Sequence, residues 1–197
     1  VVSANENCQG EATAQDFDNG SFDPDNTPFT LTVSPQGPYP LGTTTVVLTI
    51  DDGEYTDSCD TTITVVDTTA PSLTCLENQV VTVDTACSYI VPNYLSQVTA
   101  QDNCGVVSVL QSPLPGTTVS TGVTQITITA NDGVNQSVCT FTLTVEDQTA
   151  PTAIAQNITV ALDIDGYAEV EENDIDAGSS DNCGAITKSL NTTIFTC

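Results

Sequence analysis

Val65-Val66-Asp67-Thr68-Thr69-Ala70-Pro71 recurs 80 residues later as Val145-Glu146-Asp147-Gln148-Thr149-Ala150-Pro151. The ungapped likeness runs back from each copy to Gly42 and Gly122. It aligns Val46, Leu48, Ile50, Gly53, Cys59, Ile63 and Val65 with Ile126, Ile128, Ala130, Gly133, Cys139, Leu143 and Val145. A fixed period of this length marks repeated modules, each burying its own small core. The period divides the chain into residues 1–66, a module lacking its first strand; residues 67–146, a complete module; and residues 147–197, the N-terminal half of a third.

Within the modules the apolar period is two. In Thr61-Thr62-Ile63-Thr64-Val65 the alternation turns Ile63 and Val65 inward and the threonines outward, as in a half-buried strand. Asp51-Asp52-Gly53 and Asn131-Asp132-Gly133 are hairpin signals. Strands are expected at Phe29–Val33, Thr45–Ile50, Leu73–Cys75, Val80–Val83, Tyr89–Pro92, Val106–Leu110, Gln125–Thr129 and Thr140–Val145, and a strand-like run from Ala153 to Leu162. No segment carries a helical period. The fold class is therefore all-β, with turns at the spacing of a sandwich.

Composition narrows the function. Twenty-six acidic residues stand against one base, Lys188, for a net charge of −25. Such a surface repels nucleic acid and anionic membranes, and self-repulsion favours surroundings where cations screen it. Eight cysteines, no histidine and no CxxC pair argue against zinc and for disulfides, hence for an oxidising, secreted or cell-surface location. Without histidine there is no Ser-His-Asp set, and no phosphate-binding glycine loop is present. The acids sit in repeated turns without an aromatic sugar platform, so paired-carboxylate glycosidase chemistry is not expected either. The chain opens and closes inside a module, which makes the 197 residues read as a window on a longer array.

The motifs resemble those of the hyalin-repeat (HYR) family of extracellular immunoglobulin-like modules, over nearly the whole chain. Residues 67–146 carry the pattern most fully: the D-x-T-A-P entry, Cys75, Asp102-Asn103-Cys104, Asn131-Asp132-Gly133 and Cys139 to Val145. Residues 1–66 resemble the related PKD-like variety, and residues 147–197 a variant common in Bacteroidota surface proteins. The resemblance implies tandem immunoglobulin-like β-sandwiches joined by D-x-T-A-P junctions, in stalks of secreted adhesins or accessory regions of exported enzymes. It also implies a Cys75–Cys139 pair, joining first strand to last. That leaves Cys87–Cys104, and Cys183–Cys197 in the third module. Cys8 has only Cys59 as a partner within its own module; were that pair real, Cys87–Cys139 with Cys75–Cys104 would be a rival arrangement.

The acidic loops are the candidate metal sites. Asp16, Asp18, Asp23 and Asp25, and likewise Asp174, Asp176 and Asp181, place carboxylates around a glycine turn in the shared pattern D-x-D-x-G-S-x-D. Calcium takes six to eight oxygens in loose geometry, which such loops can supply; the same residues also form turns through their own backbone. An ion at the junction residues Asp67 and Asp147 would fix the angle between modules. Asn135, Asn157 and Asn191 head N-glycosylation sequons, and Thr61, Thr68 and Thr85 fit an O-glycosylation pattern. The expected function is a structural, non-enzymatic adhesin stalk or fibre whose partners are neighbouring modules and an unassigned surface glycan or protein. Two alternatives are a filament built from copies of the chain by strand addition and a carbohydrate-binding module using exposed Tyr39, Tyr55 or Tyr94.

Overall fold

The structure, a computed structural model, describes residues 1–83 and 86–196. The expected glycosylation at Thr85 and the cysteine Cys197 lie outside the described residues. In chain order the elements are β1 (Val2–Ser3), β2 (Gln9–Gly10), a single helical turn α1 (Ala14–Phe17), β3 (Thr30–Ser34), β4 (Tyr39–Pro40), β5 (Gly42–Asp51) and β6 (Thr56–Val66). There follow β7 (Ser72–Leu73), β8 (Gln79–Val83), β9 (Ser88–Ile90), a 3₁₀ turn (Leu95–Gln97), β10 (Ala100–Gln101), β11 (Ser108–Ser112), β12 (Thr118–Ser120), β13 (Gly122–Asn131) and β14 (Gln136–Asp147). The last are β15 (Tyr167–Glu169), a second helical turn α2 (Glu172–Ile175) and β16 (Ile194–Thr196). The protein is all-β, and among the described residues no helix is long and apolar enough to cross a membrane.

The chain divides into two compact units, one of Val1–Leu76, Tyr94–Ser112 and Thr127–Thr140, the other of Glu77–Asn93, Pro113–Ile126 and Phe141–Cys197. In the first unit β1, β6, β5 and β3 form one sheet in that order, and β2 pairs with β4. β5 and β6 are antiparallel from Gly42↔Val65 to Asp51↔Thr56, and β1 runs parallel to the end of β6. The inward residues of that sheet, Val33, Val46, Ile63 and Val65, close with Tyr39 of β4 into a buried cluster. Tyr39 lies edge-on to Phe17, ring centroids 6.1 Å apart, and its hydroxyl donates to the Pro35 carbonyl at 3.0 Å. An apolar side chain buried like these contributes about 1.5–3 kcal/mol, so this small core carries its sheet. In the same unit β7 pairs with β10, and β11 with β13 from Ser108↔Asn131 to Ser112↔Thr127.

In the second unit β8 runs parallel to the end of β14, from Gln79↔Leu143 to Val83↔Asp147, and β9 pairs with β12. Val91, Ile126, Phe141, Leu143 and Val145 are its buried apolar residues before Ala168 and Val170. The inward positions read from the alternation are thus the buried ones: Ile63 and Val65 near the junction at Asp67, Leu143 and Val145 near that at Asp147.

Two expectations are corrected. The strand-like run from Ala153 to Leu162 forms no strand; it makes isolated bridges at Thr152↔Ser180 and Ala155↔Asp176. The corresponding β8 is held by pairing to β14, and among the described residues 157–162 have no such partner, so β-propensity alone does not order them as a strand. Conversely, the chain has two helical turns too short to show a period. Asp16 begins the explanation: its carboxylate accepts the Thr13 backbone N–H and hydroxyl, both at 2.7 Å, and Asp174 accepts the Glu171 N–H at 2.9 Å. Each carboxylate caps the start of one turn.

Asp176 forms the ion pair of the chain's single base, 2.6 Å from Lys188 Nζ, and also accepts the Ser179 N–H. Lys188 foremost holds the Asp176 carboxyl well below the usual aspartate range. A depressed folded-state pKa stabilises above the unfolded value, about 3.9, and the contribution disappears as pH falls below it. Lys188→Gln is therefore expected to lower the unfolding midpoint at pH 6, with the difference from wild type narrowing toward pH 2 in paired urea titrations.

Candidate metal centre

Three loops distant in sequence bring acids together in the first unit. Asp67 follows β6, Asp102 follows β10, and Asp132 lies in the hairpin between β13 and β14. Their carboxylates each offer an oxygen within 4.8 Å of the other two, and Asp67 is only 8% exposed. Local chemistry aims them. Asp67 Oδ1 accepts the Thr69 N–H at 3.0 Å, Asp102 Oδ1 accepts the Cys104 N–H at 2.8 Å, and Asp132 Oδ1 accepts the Val134 and Asn135 N–H groups at 2.7 Å each. The Asn135 N–H foremost holds the Asp132 carboxyl below its ordinary range, so it stays ionised. One oxygen of each turn is thus spent on its own backbone.

The other oxygens are not. Asp102 Oδ2, Asp132 Oδ2 and the amide Oδ1 of Asn103 are shielded from solvent and have no hydrogen-bond partner. All are acceptors. The three carboxylates crowd one another, and an acceptor buried without a partner is costly to the fold. A cation removes both penalties at once. The donor set is all oxygen, with no imidazole or thiolate, which selects a hard ion.

Gly105 shapes the cradle. A Cβ there would stand 3.0 Å from the Asp132 backbone oxygen, so a side chain at position 105 would crowd the D-N-C turn against the hairpin. Gly105→Ala is expected to cost about 1–3 kcal/mol by forcing the two loops apart, read as a lower midpoint in chemical unfolding.

The loop carboxylates singled out in the sequence have local partners. Asp16 and Asp174 cap helical turns, Asp18 accepts the Ser21 N–H at 2.8 Å, and Asp176 pairs with Lys188. Asp23 accepts the Asp25 N–H at 2.7 Å and the Thr27 hydroxyl. Asp181 accepts the Cys183 N–H at 2.8 Å, as Asp102 does that of Cys104. In the second unit Asp147 repeats Asp67, accepting the Thr149 N–H at 2.9 Å, which is the main reason its carboxyl is held below the ordinary range. The gathering of Asp102 and Asp132 with Asp67 escaped the sequence reading. Its available signal was that all three sit in family motifs: the D-x-T-A-P entry, the D-N-C turn and the N-D-G hairpin.

The cysteines pair in a pattern that the sequence did not disclose. Cys75–Cys139 is bonded, Cα atoms 5.8 Å apart, as the resemblance implies. Cys8 bonds Cys104 and Cys87 bonds Cys183, with Cα separations of 4.7 and 5.0 Å. These replace the expected Cys87–Cys104, Cys183–Cys197 and Cys8–Cys59 pairs, and also the rival with Cys75–Cys104 and Cys87–Cys139. The physical reason is reach: the D-N-C turns lie within bridging distance of the turns at Cys8 and Cys87. Cys59 on β6 is exposed and free. Tyr39 and Tyr94 are buried and Tyr55 is exposed, so two of the three candidate sugar-stacking rings are core.

Fold and site together define an acidic all-β repeat unit, disulfide-bonded and carrying an oxygen-only cluster. The HYR domain model matches residues 66–145, the span that holds Asp67, Asp102 and Asp132. Hyalin of Strongylocentrotus purpuratus is 33% identical over 135 residues, 63% of this chain and 11% of hyalin, so the chain spans about a tenth of that protein's length. Both support an HYR-type repeat here. Among solved structures, Drosophila N-cadherin EC1-4 is 16% identical, covering 74% of this chain and 46% of its own at a TM-score of 0.34. Extracellular cadherin domains 1-4 of protocadherin gamma B7 are 16% identical, covering 88% and 57%, also at 0.34.

Proposed function

We propose that the chain is a tandem-repeat segment of a secreted adhesion-type protein, acting as a stalk in which each module is locked to the next. The observation that carries the reading is the pair of disulfides Cys8–Cys104 and Cys87–Cys183. Each lies within one compact unit of the fold and joins residues 96 positions apart, further than the 80-residue period, so that on the sequence division it links one repeat to the next. A domain that only needed a stronger core would staple itself, as Cys75–Cys139 does. Staples across junctions hold neighbours in register, which is a mechanical purpose. The likeness to hyalin supports an extracellular setting, and disulfides require an oxidising one. The role is structural rather than enzymatic, and the neighbouring modules are the principal partners.

Calcium is the ion proposed for the cluster, with Asp67 from the entry to the module and Asp102 and Asp132 from its loops. With three carboxylates and an extracellular module, a Kd of roughly 10⁻⁴–10⁻³ M is expected. The test has two parts. Peptide mapping of the unreduced protein is expected to recover Cys8 linked to Cys104 and Cys87 linked to Cys183; recovery of Cys87 linked to Cys104 would sink the inter-module lock. Calorimetric titration with calcium is expected to show a binding event that Asp132→Asn abolishes. A flat titration of the wild-type protein would remove calcium from the proposal.

A further inference from the structure

We infer that Asn103 is a fourth ligand of the cation site, and that the turn bonded through Cys8 sets its orientation. The inference rests on the proposed cation site and names what completes and controls it.

The Asn103 amide divides its two ends between two tasks. Its Nδ2 donates to the Asn5 carbonyl at 2.9 Å and lies 3.2 Å from Cys104 Sγ. Its Oδ1, on the other arm of the same planar group, is buried without a partner, as is Oδ2 of the preceding residue Asp102. The amide cannot gain by turning over, because Oδ1 would then face the Asn5 oxygen, acceptor against acceptor. Chemistry therefore fixes which end is which. A buried amide oxygen with no donor near it, next in sequence to an orphaned carboxylate oxygen, suits an ion that takes both carboxylate and amide oxygens.

The Asn5 carbonyl is itself held in place. It accepts the Cys8 N–H at 2.9 Å, and Asn5 Oδ1 accepts the N–H groups of Asn7 and Gln9 at 2.9 and 3.1 Å. Cys8 sits in the left-handed region at φ 60°, a conformation unfavourable for a residue with a side chain. The Cys8–Cys104 bond and the Asn103 hydrogen bond thus clamp one preformed turn on the D-N-C turn from two sides. Cutting the covalent half loosens the Asn5 turn and weakens the contact that fixes which way the amide faces. Partners that orient a metal ligand are typically worth about 10–100-fold in affinity.

Calcium titrations of the intact protein test this, comparing wild type with Asn103→Ala, with Cys8→Ser/Cys104→Ser, and with Cys87→Ser/Cys183→Ser as a control. Asn103→Ala is expected to weaken calcium about tenfold or more. Cys8→Ser/Cys104→Ser, which keeps every proposed ligand, is expected to weaken it at least about fivefold, and the control is expected to match wild type. Thiol trapping in the wild-type protein guards against a folding defect in the double variant: calcium is expected to slow reduction of Cys8–Cys104 more than that of Cys75–Cys139. Wild-type affinity in Asn103→Ala, or in a folded Cys8→Ser/Cys104→Ser, overturns the inference and leaves the cation site standing. Absence of calcium binding by the wild-type protein overturns both.

Discussion

Replacing Cys75 and Cys139 together by serine is expected to lower the thermal midpoint by about 20 °C. The bond closes a loop with a sequence separation of 64. In the chain-entropy model such a crosslink removes about 4 kcal/mol of freedom from the unfolded chain. In a domain of this size each kcal/mol moves the midpoint by about 4–8 °C, and a net stability of only 5–15 kcal/mol is typical. Cys75 is exposed and Cys139 half-buried, so two serines bring little desolvation cost and the effect acts through the unfolded state. Cys59→Ser supplies the comparison. It occupies the position of Cys139 one period earlier yet is exposed and free, and its substitution is expected to stay within about 0.5 kcal/mol of wild type. Differential scanning calorimetry of the three proteins measures both; a shift under about 5 °C in the double variant would refute the expected loss.

The second large effect is the response to divalent cation. A ligand that binds only the folded state stabilises it by about 2.7 kcal/mol at a hundred times its Kd. For a unit of this size that corresponds to about 10–20 °C. Scans in saturating calcium and in EDTA are therefore expected to differ by that amount. Asp102→Asn and Asp132→Asn are expected to bring the two scans together by removing a carboxylate from the cluster while preserving the side chain's shape. A wild-type protein melting at the same temperature in both buffers would contradict the expected stabilisation.

The strands were legible because a half-buried strand writes its period into every second residue. Ile63, Val65, Leu143 and Val145 needed nothing beyond that. Ala153 to Leu162 shows the limit, since an apolar run also needs a partner and pairing is a property of topology. The cluster was illegible for a related reason. Asp67, Asp102 and Asp132 come from three loops, and only the folded arrangement of β6, β10 and the β13–β14 hairpin brings them within reach of one ion. The disulfides were obscured by the assumption that each module staples itself. The informative sign was the equal separation of 96 between Cys8 and Cys104 and between Cys87 and Cys183, a translation of one bond by 79 residues, one short of the 80-residue period.

That translated bond changes what happens when the two ends are pulled. From Cys8 the shortest covalent route crosses to Cys104, returns along the backbone to Cys87, and crosses again to Cys183. About 17 residues, roughly 60 Å when taut, then separate Cys8 from Cys183, in place of about 175 residues and some 600 Å in the reduced chain. Tension arriving at one bond is handed to the next after this short reversed run, and the strands outside it are spared from paying out. An array continuing the pattern would behave under force as a chain of short links, extensible by tens of ångströms per period where an unstapled array would lengthen by hundreds.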